Sequence, residues 1–166
     1  MELKIIRSRR RRRTVSARII KDTLLISAPA MLSQERLDRI VADFKIKFER
    51  KKIKEELDRK QSLGDIARKI NEQYFENKLK VNSIEYATDQ ESKYGCCNYS
   101  SGRIRISHKV GLMPDWVRDY VVIHEMAHLI EPNHSAGFWE IISRYKLAER
   151  ARGYLMAAGL DREAQE

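Results

Sequence analysis

Only two of the 166 residues are cysteine, and the two, Cys96 and Cys97, are adjacent. Neighbouring thiols build no framework of cross-links, so a small disulfide-stapled scaffold is excluded and a reducing, cytoplasmic compartment is the expectation. Long apolar runs are missing too. Nothing approaches the roughly 20 residues that a spanning helix needs, so no membrane partner is expected. The opening Met1–Ile6 lacks the apolar segment of an export signal. There is no internal repeat and no low-complexity linker. Acidic residues run short against basic ones, 24 to 33, which leaves a net charge of +9.

What is present is a hydrophobic share of 42%, enough for one domain with a core, or for a small domain with an appendage. The basic excess gathers in Arg7 and Arg9–Arg13, then again in Lys45, Lys47, Arg50, Lys51, Lys52 and Lys54. Clustered cations of this kind neutralise phosphates, so the N-terminal region is compatible with a nucleic-acid partner. They equally serve as the solvated faces of a strand and a long helix, and charge alone speaks to association rather than to fold.

Residues 3–28 read as β: Thr14–Ile20 alternates, Lys21 and Asp22 offer a turn, Thr23–Ser27 returns and Pro29 closes the hairpin. From Ser33 to about Lys60 the period turns helical, with Leu37, Ile40, Val41, Phe44, Phe48 and Ile53 on one side and a charged, exposed far end. Gln61–Gly64 breaks the pattern. The sequence therefore divides into a hairpin with a basic helix at 1–60 and a core at 61–166. In the core, Ser62 is placed to cap a helix carrying Ile66, Ile70, Tyr74 and Phe75. Strands follow at Ser83–Ala87, Tyr94–Tyr99 and Arg103–Ser107, the last two joined by Ser100-Ser101-Gly102. Helices resume after Met113 and run to about Ala158. The order describes an α+β fold with a small antiparallel sheet ahead of paired helices.

The chemistry lies between Trp116 and Trp139. His124-Glu125-Met126-Ala127-His128 sets two imidazoles one helical turn apart on one face, so both rings reach one cation. Trp116, Tyr120, Ile123, Ala127 and Ile130 form the stripe that packs this helix, with Pro114 in its first turn and Pro132 as its stop. The chain then reverses, and His134 supplies a third nitrogen. Three histidines with a fourth position open is the catalytic arrangement of zinc, and Glu125 is placed to take a proton from a water activated by the metal. A lone histidine reads as an ordinary polar residue. Three of the four histidines within eleven residues do not.

Several stretches resemble the YgjP-like metallopeptidases, relatives of the SprT-type and WLM-type zinc proteases. Arg12-Arg13-Thr14-Val15-Ser16 is similar to that family's opening hairpin. Tyr94-Gly95-Cys96-Cys97 stands in the place of its Trp-Gly-Ser-Cys motif, and Gly102–Ile106 is similar to its next strand. Tyr120–Leu129, with Asn133-His134-Ser135 and Phe138-Trp139, resembles its metal-binding core. The resemblance implies a zincin-like fold with one Zn²⁺ on His124, His128 and His134, Glu125 as acid/base, and a protein or peptide substrate. Tyr94 and Cys96 depart from the family's Trp and Ser. His108 stands where relatives have an aromatic, which favours a packing role over a fourth ligand. Because SprT-type relatives act on proteins at DNA, the resemblance keeps a DNA-associated protease in view.

Tyr94, Gly95, Cys96 and Cys97 are thus the candidate substrate-binding residues, and Tyr94–Asn98 is a candidate edge strand for an extended peptide. Tyr94, Tyr99, Tyr145 and Arg144 are candidate oxyanion donors. Glu131 and Glu140 are candidate supports for the imidazoles. Two rivals stand beside the peptidase. One is a hydrolase of non-peptide amides. The other is a non-enzymatic, zinc-containing nucleic-acid-binding module, which needs a fourth protein ligand from Cys96 or Cys97 and leaves Glu125 without a role.

Overall fold

The computed structural model describes residues 2–21, 23–90 and 92–159. The chain forms two compact units, Met1–Lys52 and Ile53–Glu166, and the division falls inside the long helix α1, Gln34–Lys60.

In the first unit, β1 (Glu2–Ser8), β2 (Ser16–Ile20) and β3 (Thr23–Pro29) form a sheet in the order β1-β3-β2. The hairpin read from the sequence is β2 with β3, paired from Ser16↔Ser27 to Ile20↔Thr23. Lys21 adopts the left-handed region at its turn, and Asp22 lies outside the described residues. β1 joins the other side of β3 in parallel. The alternation of β3 buries Leu24, Ile26 and Ala28 against Leu37 and Val41 of α1. Arg7 is bound to the chain itself: its guanidinium donates to the carbonyls of Leu32 at 2.7 Å and Ala30 at 3.2 Å, and to Gln34 Oε1 at 2.7 Å. It latches the segment that leads into α1.

The second unit holds the larger core. Leu63, Ile66, Ala67 and Ile70 recur at helical spacing on α2 (Leu63–Phe75) and bury one face. Ser62 occupies the N-cap of α2, but its side chain makes no capping bond; its carbonyl accepts instead from Asp65 and Ile66. The sheet that follows has the order β4-β6-β5, from β4 (Ser83–Ala87), β5 (Gly95–Asn98) and β6 (Arg103–Ser107). β5 and β6 form the expected hairpin, turned at Gly102 with φ of 63°, whereas β4 runs parallel to β6, so the sheet is mixed. Ile104 and Ile106 are fully buried at its centre. A 3₁₀ turn at Val110–Leu112 leads to α3 (Asp115–Ala127), and α4 (Ala136–Ser143) and α5 (Ala148–Ala157) complete the unit. Pro114 is the N-cap of α3 rather than its first-turn residue, and Ile130 falls beyond the helix and is exposed. Among the described residues no helix is long and apolar enough to cross a membrane.

Candidate metal centre

Val117, Val121, Val122, Ile123, Met126 and Ala127 are all buried, so the rotation of α3 is fixed by packing on most of its circumference. His124 and His128 are left half-buried at the margin, with ring centroids 5.0 Å apart. The chain leaves α3 at Ala127, with His128 as C-cap, and re-enters a helix at Ala136. Ser135 ties down that return. Its Oγ accepts from the Phe138 N–H at 3.3 Å, capping α4, and donates to the Glu131 carboxylate at 3.1 Å. His134 sits immediately before this cap and is thereby brought back over α3.

The three imidazoles converge. His124 Nε2 and His134 Nε2 face each other at 3.1 Å, and the ligand atoms of all three residues lie within 4.8 Å of one another. His128 Nδ1 is 3.1 Å from the Glu131 carbonyl; an N–H donated there leaves Nε2 as the lone-pair nitrogen. Metal–imidazole bonds of ~2.0–2.1 Å in a tetrahedron set neighbouring nitrogens about 3.3 Å apart; His124 and His134 already stand close to that spacing, and the third ligand atom lies within 4.8 Å of both. Glu131 meets His128 through its backbone carbonyl, while its carboxylate accepts from Ser135. Glu140 is exposed.

Beneath the cluster lies one ring. Phe138 is fully buried, with its centroid 4.8, 4.6 and 4.7 Å from those of His124, His128 and His134, stacked on the second and edge-on to the others. Trp139 stacks on the outer face of His134 at 5.7 Å. Burial, above all, pushes the His124 pKa down to about 3, and His128, His134 and Arg152 add to the effect. The imidazole is therefore neutral at pH 7, the form a metal needs.

Glu125 is buried and lines a small cavity with His124, His134, Tyr94, Gly95 and Arg152. Its carboxylate lies hard against β5. A Cβ added at Gly95 would come within 2.5 Å of Glu125 Oε1 and 2.8 Å of Cδ, so only glycine admits the side chain there.

The other named residues separate by position. Tyr94 lines the cavity but is buried, and its hydroxyl donates to the Leu155 carbonyl at 2.8 Å. Cys96 is half-buried and accepts from Gln90 Nε2 at 2.9 Å. Burial, then the charge of Glu125, pushes the Cys97 thiol up to about 12, so it stays protonated at neutral pH. Neither cysteine belongs to the histidine cluster. Tyr145 donates to the Trp116 carbonyl at 2.9 Å, while Tyr99 and Arg144 are exposed. His108 is half-buried with Nδ1 3.3 Å from the Ala87 carbonyl, apart from the cluster.

Arg152, which no sequence signal picks out, is the cation of the cavity lining. It lies 4.8 Å above the Trp139 ring and pairs with Glu149 at 3.1 Å, so Trp139 joins it to His134. It stands eighteen residues beyond His134 on a different helix, a separation with no local periodicity to reveal it.

The α+β core and the three-histidine cluster beside a buried glutamate have the arrangement of a metallopeptidase domain. The chain belongs to the YgjP-like family: the profile described as YgjP-like, metallopeptidase domain, matches residues 46–146, more than half of its length. Among curated proteins nothing matches it. Among solved structures it is similar to the metallopeptidase zymogen of Pyrococcus abyssi abylysin, at 17% identity and a TM-score of 0.51, over 58% of this chain and 93% of that one. At that identity the likeness speaks to fold.

Proposed function

We propose that the protein is a zinc-dependent peptidase in which His124, His128 and His134 hold the metal and Glu125 is the acid/base. The observation that carries the reading is a convergence: the ligand atoms of the three histidines lie within 4.8 Å of one another, and two of those residues, His124 and His134, line one cavity with the buried carboxylate of Glu125. Zinc bound there supplies a Lewis acid that polarises a scissile carbonyl and acidifies water. Glu125 accepts the proton that the attacking water loses and returns it to the leaving amine. Its position against the Gly95 backbone holds the carboxylate at one end of β5.

β5 is the outer strand of its sheet, and an extended peptide adds along it by backbone hydrogen bonds that ask little of substrate sequence. Arg152 faces the same cavity and is held by Trp139 and Glu149, so it receives the negative charge that develops on the carbonyl oxygen. Tyr94 and Tyr145 have their hydroxyls committed to backbone carbonyls, which leaves Arg152 the better-placed donor. The non-enzymatic alternative requires a fourth ligand from Cys96 or Cys97, and neither cysteine belongs to the histidine cluster.

The test is metal content together with casein-type proteolysis, for wild type and Glu125→Gln. One zinc per chain in both, with cleavage in wild type alone, supports the reading. A metal-free wild type, prepared without chelators, would sink it.

A further inference from the structure

The net charge is not spread over the molecule. Residues 1–52 carry 16 Lys and Arg against 6 Asp and Glu, whereas the rest of the chain carries 17 against 18. The first unit therefore holds the whole excess, at +10, and the unit with the histidine cluster is close to neutral, at −1. Such a division is not needed for solubility, which charge on either unit would serve.

The excess is also placed for contact. Arg9–Arg13 occupy the irregular segment between β1 and β2, where no helix or strand fixes the side chains on one face. Among the described residues none of these five arginines pairs with a carboxylate. Arg7, by contrast, is engaged by the chain's own carbonyls. The segment borders two adjoining surface grooves that share Arg12, Pro29 and Met31; Arg36 lines one, and Arg9 and Arg11 the other. No carboxylate lines either groove. Each guanidinium presents a planar fork of donors that matches two phosphate oxygens, which an ammonium does not.

We infer that the first unit is a nucleic-acid-binding module that grips the phosphate backbone through Arg9–Arg13 and Arg36. The unit contains no tryptophan or tyrosine, and its two phenylalanines, Phe44 and Phe48, are half-buried on α1. It thus has no platform on which unpaired bases stack, and the binding is to duplex, without sequence preference. A lipid surface fits less well: the unit exposes aliphatic side chains, Met31 beside these arginines and Ile5, Ile6, Ile19 and Ile20 on the strands, but it has no tryptophan or tyrosine to seat at a headgroup interface.

Binding of the full-length protein to a labelled DNA duplex of about 20 base pairs, followed by fluorescence anisotropy against salt, tests this without any reliance on peptidase activity. With about five phosphates engaged, log K should fall against log[salt] with a slope of about −4 to −5. Arg10→Gln/Arg12→Gln/Arg13→Gln should lower that slope in size by about 3 and weaken binding by roughly two orders of magnitude near 0.1 M salt. The same three positions changed to lysine should keep most of the affinity. Arg103→Gln/Arg144→Gln/Lys146→Gln, which removes three exposed cations of the second unit, should leave it unchanged. The inference is overturned by a flat salt response, or by equal losses in the glutamine triple and the second-unit control. It is overturned equally if the lysine triple binds as poorly as the glutamine triple, or if phosphatidylserine vesicles are bound and the duplex is not.

Discussion

At the scale of single residues, the site depends on contacts that admit little substitution. Gly95 is the sharpest case. Alanine there needs Glu125 to retreat, because the new methyl would overlap its carboxylate. The three atoms nearest the new methyl all belong to Glu125, so Gly95→Ala should bind zinc normally while kcat/KM falls about a hundredfold, the cost of misplacing a reacting group by an ångström. Equal activity in that variant would show that the carboxylate has room to spare. Arg152→Met should likewise keep its zinc and lose about a hundredfold in kcat/KM, mostly in kcat, because the lost interaction belongs to the transition state. Arg152→Lys should recover part of the loss, since it returns the charge without the stacked fork. A change in KM alone would make Arg152 a substrate-binding group instead.

At the scale of elements, the turn between α3 and α4 carries the third histidine, and Ser135 carries the turn. Its hydroxyl caps α4 and also reaches Glu131, whose carbonyl orients His128. Ser135→Ala should cost about 1 kcal/mol of stability for the cap, and also lower zinc affinity about tenfold through the two histidines it positions. A stability loss with unchanged zinc affinity would confine Ser135 to capping. The elements also show what a sequence discloses. The histidine pair, the buried face of α3 and the β5–β6 hairpin are periodic or local, so four-residue spacing and a Ser-Ser-Gly turn reveal them. The parallel partners β1 with β3 and β4 with β6 are joined by segments that leave no mark of register, and both escaped notice. Arg152 and the approach of Glu125 to Gly95 escaped for the same reason. Each is a meeting of side chain and backbone from separate elements, created by packing rather than by spacing.

At the scale of the whole molecule, protons and metal compete for the same nitrogens, and stability follows both. His124 has a pKa of about 3 in the folded chain and an ordinary value of about 6.5 when unfolded. As pH falls below about 6.5, the unfolded chain takes up a proton that the folded chain refuses, so the equilibrium moves toward unfolding. The contribution of the neutral imidazole is therefore complete above pH 6.5 and is lost progressively as pH drops toward 3. The metal-free protein should melt at steadily lower temperature across that interval. Metal-free His124→Gln, which has nothing to protonate there, should show a shallower decline. Zinc acts in the opposite sense. At a free concentration one hundred times its Kd it adds about 2.7 kcal/mol, a rise of roughly 5–10 °C in Tm for a chain of this size, and only while the imidazoles are neutral. The rise should be present at pH 7.5 and be largely absent from His124→Gln at the same pH. Parallel melting curves for the two proteins across pH would mean that His124 is no more buried than an ordinary surface histidine. An undiminished zinc effect in the variant would place the metal elsewhere.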